Sequence, residues 1–146
     1  MTAHSNVRTL KIEWGQCDAA GIVYYPQYFS IFNESTIELF STAGYSLRHI
    51  LKEFDIVGLP MIETKANFKI PSSYGDVLEI RSRVTEWRRT SFFVAHEAYR
   101  DGAIAVEASE HRVWVMKGPD GKIRGTPAPA EVITRMCGDA AIAAEK

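Results

Sequence analysis

One carboxylate, set in a loop just ahead of a helix start, has the clearest chemical potential in this sequence. The stretch Trp14-Gly15-Gln16-Cys17-Asp18-Ala19-Ala20-Gly21-Ile22-Val23-Tyr24-Tyr25-Pro26 follows a strand-like run through Val7, Leu10, Ile12 and Trp14. It passes Asp18 and Gly21 and reaches Pro26, whose missing N–H costs nothing in the first turn of a helix. The first N–H groups of a helix lack partners within it and carry the positive end of its dipole, so they can hold developing negative charge. A carboxylate beside such donors suits acyl transfer to water. By position alone, Asp18 also fits a plainer role as the cap of the turn or helix that follows it.

Other reactive side chains are less well placed. Cys17 adjoins Asp18, but no histidine pairs with it in the sequence, and a buried structural thiol is the simpler reading. Cys17 and Cys137 lie far apart and match neither a metal-ligand nor a disulfide-framework spacing, as reduced cysteines of a cytoplasmic protein would. His49, His96 and His111 fit no metal-ligand pattern, and the two strand histidines read as hydrogen-bonded core or interface groups. Glu34 and Glu38 stand one helical turn apart, as a paired-carboxylate site would require, and read by default as solvated or interface groups.

The elements that must hold Asp18 follow from periodicity. Val7 to Trp14 reads as a strand, and Pro26 to about Ala43 as one long helix ended by Gly44. Phe29, Phe32, Ile37 and Phe40 recur at helical spacing, and Ile31 and Leu39 widen the apolar surface enough to predict burial on several sides. About 18 residues make a helix roughly 27 Å long. A short helix is expected around Leu47 to Phe54. Strands follow over Met61 to Ile70, Val77 to Arg88, Ser91 to Arg100 and Ala103 to Met116, with turns at Pro71 to Asp76, Asp101-Gly102 and Pro119 to Gly121. Pro127 to Met136 reads as a terminal helix and Gly138 to Lys146 as a loose tail.

A helix followed by hairpin-linked strands predicts an α+β fold, one mainly antiparallel sheet against one main helix. Leu78, Ile80 and Val84 share one strand face, and Arg81, Arg83 and Thr85 the other. Ala103 to Met116 carries apolar residues on both faces: Ile104, Val106 and Trp114 on one, Ala105, Val113 and Val115 on the other. A partner subunit is the simplest cover for a sheet apolar on both sides.

The chain has 146 residues and a formal net charge of −1, enough for one real core and too little positive charge for a nucleic-acid binder relying on overall basicity. No run approaches the roughly 20 apolar residues of a membrane span, and residues Met1 to Asn6 lack the apolar centre of a signal peptide. The expectation is a single domain over residues 1–137, with no membrane or nucleic-acid partner.

The motif Gly15-x-Cys17-Asp18-x-Ala20-Gly21-Ile22-Val23-x-Tyr25-Pro26, with Ile56-Val57-Gly58-x-Pro60 and Glu86-Trp87-Arg88-Arg89-x-Ser91-Phe92, closely resembles the 4-hydroxybenzoyl-CoA thioesterase family. The resemblance runs from about Val7 to Met136. It implies the hot-dog fold, an antiparallel sheet wrapped around a long central helix, in dimers that share active sites and pair into tetramers. It implies an acyl-CoA substrate, with coenzyme A as part of the substrate and no metal or redox cofactor.

Carried onto this chain, the resemblance makes Asp18 the catalytic residue, either attacking the thioester carbonyl or activating a water. The carbonyl oxygen would take the backbone N–H of Tyr25, helped by the freedom of Gly21. Tyr24, Asn33, Leu59 and Pro60 would line the acyl pocket with Gly21. Tyr24 stands for a tryptophan of the hydroxybenzoyl-specific enzyme, Asn33 for an aspartate and Leu59 for a threonine. Gln16 replaces an acidic residue before the catalytic position. Arg88 and Arg89, with Thr90 and Ser91, would bind the phosphates of coenzyme A, and Thr90 replaces a further lysine.

Three rival readings follow from the same motif. A short- or medium-chain aliphatic thioesterase of the kind associated with the Tol–Pal envelope system would carry histidine where Tyr25 stands. A module that binds acyl-CoA without turning it over could dispense with Asp18. A hot-dog dehydratase or hydratase would need a catalytic histidine that the motif lacks.

Overall fold

The long helix α1 runs Pro26–Thr42 and buries Tyr28, Ile31, Phe32, Ser35, Thr36, Leu39 and Phe40. Those positions advance by three or four, so burial is confined to one face. The expected burial on several sides is corrected accordingly: Phe29 and Ile37 flank that face and are only half-buried. The helix ends where predicted. Gly44 takes φ +99°, its N–H donates to the Ser41 carbonyl, and the Tyr45 N–H donates to that of Phe40. This paired closure satisfies the last carbonyls and requires a left-handed residue at its centre, which glycine adopts without strain.

In this computed structural model residues 2–138 are described, and most of the expected tail, residues 139–146, lies outside them. Strand β1 (Ser5–Lys11) precedes α1, and α2 (Leu47–Glu53) follows it, capped by the Ser46 hydroxyl. Strands β2 (Met61–Phe68), β3 (Val77–Trp87), β4 (Ser91–Arg100) and β5 (Ala103–Val113) come next, then the short pair β6 (Val115–Lys117) and β7 (Ile123–Gly125), and finally α3 (Ala130–Cys137). The five long strands form one antiparallel sheet in the order β1-β3-β4-β5-β2. The α+β fold with one main helix on one sheet is as expected.

Three local differences have physical causes. β1 stops before Trp14, because the last rung is the Ile12 N–H to the Asp76 carbonyl and Glu13 then caps a short 3-10 turn over Trp14–Gln16. Trp14 is left exposed, edge-on to Tyr74. The predicted last strand breaks in two: Val113 ends β5, and the Trp114 N–H turns to the Thr90 carbonyl. Within β5, Tyr99 faces Ile104 and Ala98 faces Val106, so Ala105 is the extra residue of a bulge and both Ala105 and Val106 are buried. Beyond the bulge Glu110, Arg112 and Trp114 are buried, while Glu107, Ser109 and His111 are only half-buried. The two-sided apolar strand predicted for this stretch is therefore not present.

The core divides along α1. One apolar cluster gathers Tyr28, Phe32, Leu78, Ile80, Ala98 and Val106; the other gathers Phe40, Trp87, Phe92, Trp114, Val132 and Met136. Each large side chain withdrawn from water contributes about 1.5–3 kcal/mol. Buried polar residues stand midway along the helix: Thr36, Ser82, His96, Glu110 and Arg112. They bond to one another. Ser82 Oγ lies 2.7 Å from His96 Nδ1, Thr36 Oγ1 lies 3.1 Å from His96 Nε2, and Thr36 donates to Glu110 at 2.5 Å.

Candidate active site

The loop that carries Asp18 is a small hairpin. The Asp18 N–H donates to the Ile22 carbonyl, Cys17 pairs with Val23, and the Tyr24 N–H donates to the Gln16 carbonyl at 2.8 Å. The turn at its tip closes from the Gly21 N–H to the Asp18 carbonyl, with Gly21 at φ +80°. Asp18 Oδ1 accepts the Ala20 N–H at 2.9 Å, so the turn-capping role is real. It occupies one carboxylate oxygen only; among the described residues Oδ2 has no partner. The hairpin is tied to the sheet through the Val23 N–H to the Ser72 carbonyl and a bridge from Ile22 to Ser73, just before β3.

The two rungs of this hairpin at Ile22 and Tyr24 lie about 7 Å apart by strand rise, and α1 starts immediately after them. Tyr25 is the N-cap of α1, and Pro26 is its first residue. The Gln27 and Tyr28 N–H groups turn back to the Tyr24 and Tyr25 carbonyls. The Tyr25 N–H therefore remains the free donor of the helix start, without an acceptor among the described residues. Asp18, Gly21, Tyr24 and Tyr25 are all exposed in the single chain. Tyr24 and Tyr25 meet edge to face, and Tyr25, Tyr28 and Phe29 all contact Phe68 at the end of β2. Phe68 escaped the sequence reading because it lies about 40 residues beyond the motif in a strand without a clean alternation.

The other acyl-pocket candidates form a separate group. Asn33 stands two turns along α1 from Tyr25, about 12 Å by helix rise. Its Oδ1 accepts from Arg112 Nη2 at 2.7 Å, and Arg112 Nη1 donates to the Leu59 carbonyl at 2.9 Å. The Pro60 carbonyl accepts the Val113 N–H. Asn33, Leu59 and Pro60 thus converge around Arg112 and away from Asp18. Sequence reasoning missed Arg112 and Glu110. Their signal was available, since both fall on the same alternation as the core residue Trp114.

Arg88, Arg89, Thr90 and Ser91 make the tight turn between β3 and β4, closed from the Arg88 N–H to the Ser91 carbonyl. Arg88 is bound to Glu86 and lies over the Phe93 ring at 4.7 Å. Arg89 is exposed and has no partner among the described residues. Ser91 Oγ lies 3.0 Å from His111 Nε2, and burial and the neighbouring Arg88 charge both lower the pKa of that histidine. Thr90 packs under β7 so closely that a Cβ on Gly125 would stand 2.9 Å from its hydroxyl. This turn lies at the end of β3 opposite the Asp18 hairpin. Eleven residues separate the two ends, roughly 35 Å of strand. The fold therefore does not bring the predicted phosphate-binding residues to Asp18 of the same chain.

The alternative reactive groups have other partners. Glu34 pairs with Arg8 at 2.9 Å and Glu38 accepts from Asn6, so both turn to β1. Cys17 is half-buried with its thiol toward the Glu13 carbonyl. His96 is buried and hydrogen-bonded, as its strand position suggested. Among the described residues no three metal-ligating side chains cluster.

Residues 12–135 match the thioesterase-like superfamily, a span that contains the Asp18 hairpin, all of α1 and the whole sheet beyond β1. The chain belongs to this superfamily. It is 34% identical to a 4-hydroxybenzoyl-CoA thioesterase of Pseudomonas sp. (strain CBS-3), over 90% of this chain and 96% of that protein. A crystal structure of an aspartate-to-asparagine mutant of 4-hydroxybenzoyl-CoA thioesterase with 4-hydroxybenzoyl-CoA superposes with a TM-score of 0.83 and 34% identity, over 90% of this chain and 97% of that one. A gentisyl-coenzyme A thioesterase superposes at 0.77 with 28% identity, over 87% and 98% of the two chains. The fold is the hot-dog fold of these enzymes. Among the described residues no helix is long and apolar enough to cross a membrane.

Proposed function

We propose that this protein is an acyl-CoA thioesterase for an aromatic acyl group, with Asp18 as its catalytic carboxylate. Water adds its oxygen to the acyl carbon, the C–S bond breaks, and the thiolate of coenzyme A takes up a proton. Asp18 drives this either by attacking the carbonyl through Oδ2, to be released by water, or by taking a proton from the attacking water. The Tyr25 N–H holds the carbonyl oxygen as it gains charge. The observation that carries the reading is a carboxylate with one unbonded oxygen on a short hairpin that leads straight into a helix-start N–H without an acceptor among the described residues. The relatives act on hydroxybenzoyl and gentisyl thioesters, and the exposed Tyr24, Tyr25 and Phe68 offer an aromatic ring flat and edge contacts. No metal or redox cofactor enters the reaction.

The working unit is a homodimer with shared sites, and two such dimers make a tetramer. Support comes from β2, an edge strand of 8 residues bonded on one side to β5, with Met61, Ile62 and Phe68 exposed along it. Such an edge invites pairing with another strand. Antiparallel pairing of two β2 strands about a twofold axis brings the Phe68 end of one chain, with Asp18 and Tyr25, to the Met61 end of the other. Leu59, Pro60 and Asn33 of the partner subunit then complete the acyl pocket. The same geometry removes the need for Asp18 and the Arg88-Arg89 turn to meet within one chain. Two free cysteines are in keeping with a cytoplasmic setting.

The test is thiol release from a panel of aromatic and aliphatic acyl-CoAs, with the wild type beside Asp18→Asn. Release from aromatic esters that the substitution abolishes, with folding and coenzyme A binding retained, supports the reading. A preference for short aliphatic esters would move the protein to the aliphatic branch. Binding without release would make it a non-catalytic acyl-CoA module.

A further inference from the structure

We infer that the buried Glu110–Arg112 pair fixes Asn33 as a hydrogen-bond donor to the acyl group, so that the protein selects aromatic acyl groups carrying a hydrogen-bond acceptor. The inference rests on the proposed place of Asn33 in the acyl pocket and adds the polarity of that pocket.

Arginine has five N–H donors and no acceptor. With Arg112 Nη2 at 2.7 Å, Asn33 must turn its oxygen inward, because the reverse orientation would set N–H against N–H. The Asn33 NH2 is then directed away from the guanidinium and has no acceptor among the described residues. Arg112 cannot swing to release it. Its Nε and Nη2 donate to Glu110 at 2.9 and 3.2 Å, and its Nη1 donates to the Leu59 carbonyl. Arg112 is 5% exposed and Glu110 2%, so water does not compete for these bonds. One buried cation thereby joins α1 to the segment ahead of β2 and orients the amide between them. Arg112 is a positioning residue; Asn33 makes the contact. An aspartate at this place would offer the acyl group an oxygen, whereas the amide offers an N–H. The Leu59 side chain is buried in the apolar core and its carbonyl is taken by Arg112, so the amide is the polar group left to distinguish one ring substituent from another.

The experiment compares kcat/KM for benzoyl-CoA, 4-hydroxybenzoyl-CoA and 4-methoxybenzoyl-CoA in the wild type, Asn33→Asp and Arg112→Lys, with circular dichroism and thermal melting on each. A hydroxyl oxygen can accept or donate; a methoxyl oxygen only accepts. The wild type is expected to favour both substituted esters over benzoyl-CoA by about tenfold, the value of one hydrogen bond. Asn33→Asp is expected to keep the hydroxyl advantage and lose the methoxyl one. Arg112→Lys, which keeps the charge but not the fork, should bring both ratios toward one; a merely structural role would lower all three rates together and leave the ratios alone. If Arg112→Lys fails to fold, Asn33→Asp decides the matter. Equal rates for the three esters in the wild type, a hydroxyl advantage without a methoxyl one, or a methoxyl advantage that survives Asn33→Asp would each overturn the inference and leave the thioesterase reading standing. No hydrolysis of any ester by the wild type would overturn that reading and this inference with it.

Discussion

Asp18 Oδ1 accepts the backbone N–H of Ala20 at 2.9 Å, so one residue both shapes the hairpin and presents its second oxygen outward. The two roles can be separated by substitution. Asparagine keeps an oxygen that accepts the Ala20 N–H but can neither attack nor take a proton. Asp18→Asn is therefore expected to melt like the wild type and to lose on the order of 10³ in kcat, within the range of a lost acid–base group. Asp18→Ala should lose the activity and about 1 kcal/mol of stability as well. Thermal melts beside thiol-release assays check both.

The two arginines of the β3–β4 turn should contribute unequally. Arg88 is already engaged by Glu86 and the Phe93 ring, whereas Arg89 is unpaired among the described residues. Arg89→Gln is expected to raise KM for the acyl-CoA by roughly tenfold with kcat little changed, the effect of one charge-assisted bond to phosphate. Arg88→Gln should raise it less. Both effects should shrink as salt is added, because these side chains are exposed. Steady-state kinetics at two ionic strengths tests this.

Glu110 should make the fold sensitive to acid. Burial pushes its carboxyl up, but the neighbouring His96 ring, 3.5 Å away, and the bonds from Arg112 outweigh burial and hold it at about 2, below the ordinary 4.5. A carboxylate with a lowered folded-state pKa stabilises fully above its unfolded value and loses that contribution as pH falls toward the folded value. Stability on the order of 3 kcal/mol is thus expected to disappear between pH about 4.5 and about 2. Urea unfolding at stepped pH would show the slope. In Glu110→Gln the slope should flatten, and stability at neutral pH should fall by about 3–5 kcal/mol because Arg112 is left buried without its partner.

The β2 edge supplies the test of assembly. Ile62 is exposed on that strand, and a charge there opposes strand addition. Ile62→Lys is expected to shift the sedimenting species to the monomer at micromolar concentration and to abolish hydrolysis, while circular dichroism stays native. An active monomer would show that one chain holds a complete site.

Much of this protein is legible residue by residue. The Asp18 loop, the proline-started helix and its glycine stop are local signals: a fixed φ at Pro26 and a left-handed closure at Gly44 act within a few residues of themselves. The ends of β3 and β4 are legible for the same reason, through alternation and turn chemistry, whereas those of β1 and β5 are not. At the Ala105 bulge alternation put Ile104 on the face of Val106 and Trp114, whereas the inserted residue sets Ile104 on the opposite face.

What the sequence determined by itself is most of the helices and long strands and the loop that carries Asp18, because these depend on neighbours along the chain. Only the tertiary structure decided who meets whom. It put Asp18 and the Arg88-Arg89 turn at opposite ends of β3, brought Phe68 to the helix start, and set Arg112 of β5 against Asn33 of α1. Those meetings join residues tens of positions apart through sheet register and the packing of α1, and no periodicity along the chain encodes them. The Arg112–Asn33 contact is the clearest case: alternation puts Arg112 on the core face with Trp114, but only the packing of α1 over the sheet decides that its guanidinium meets Asn33 as well as Glu110.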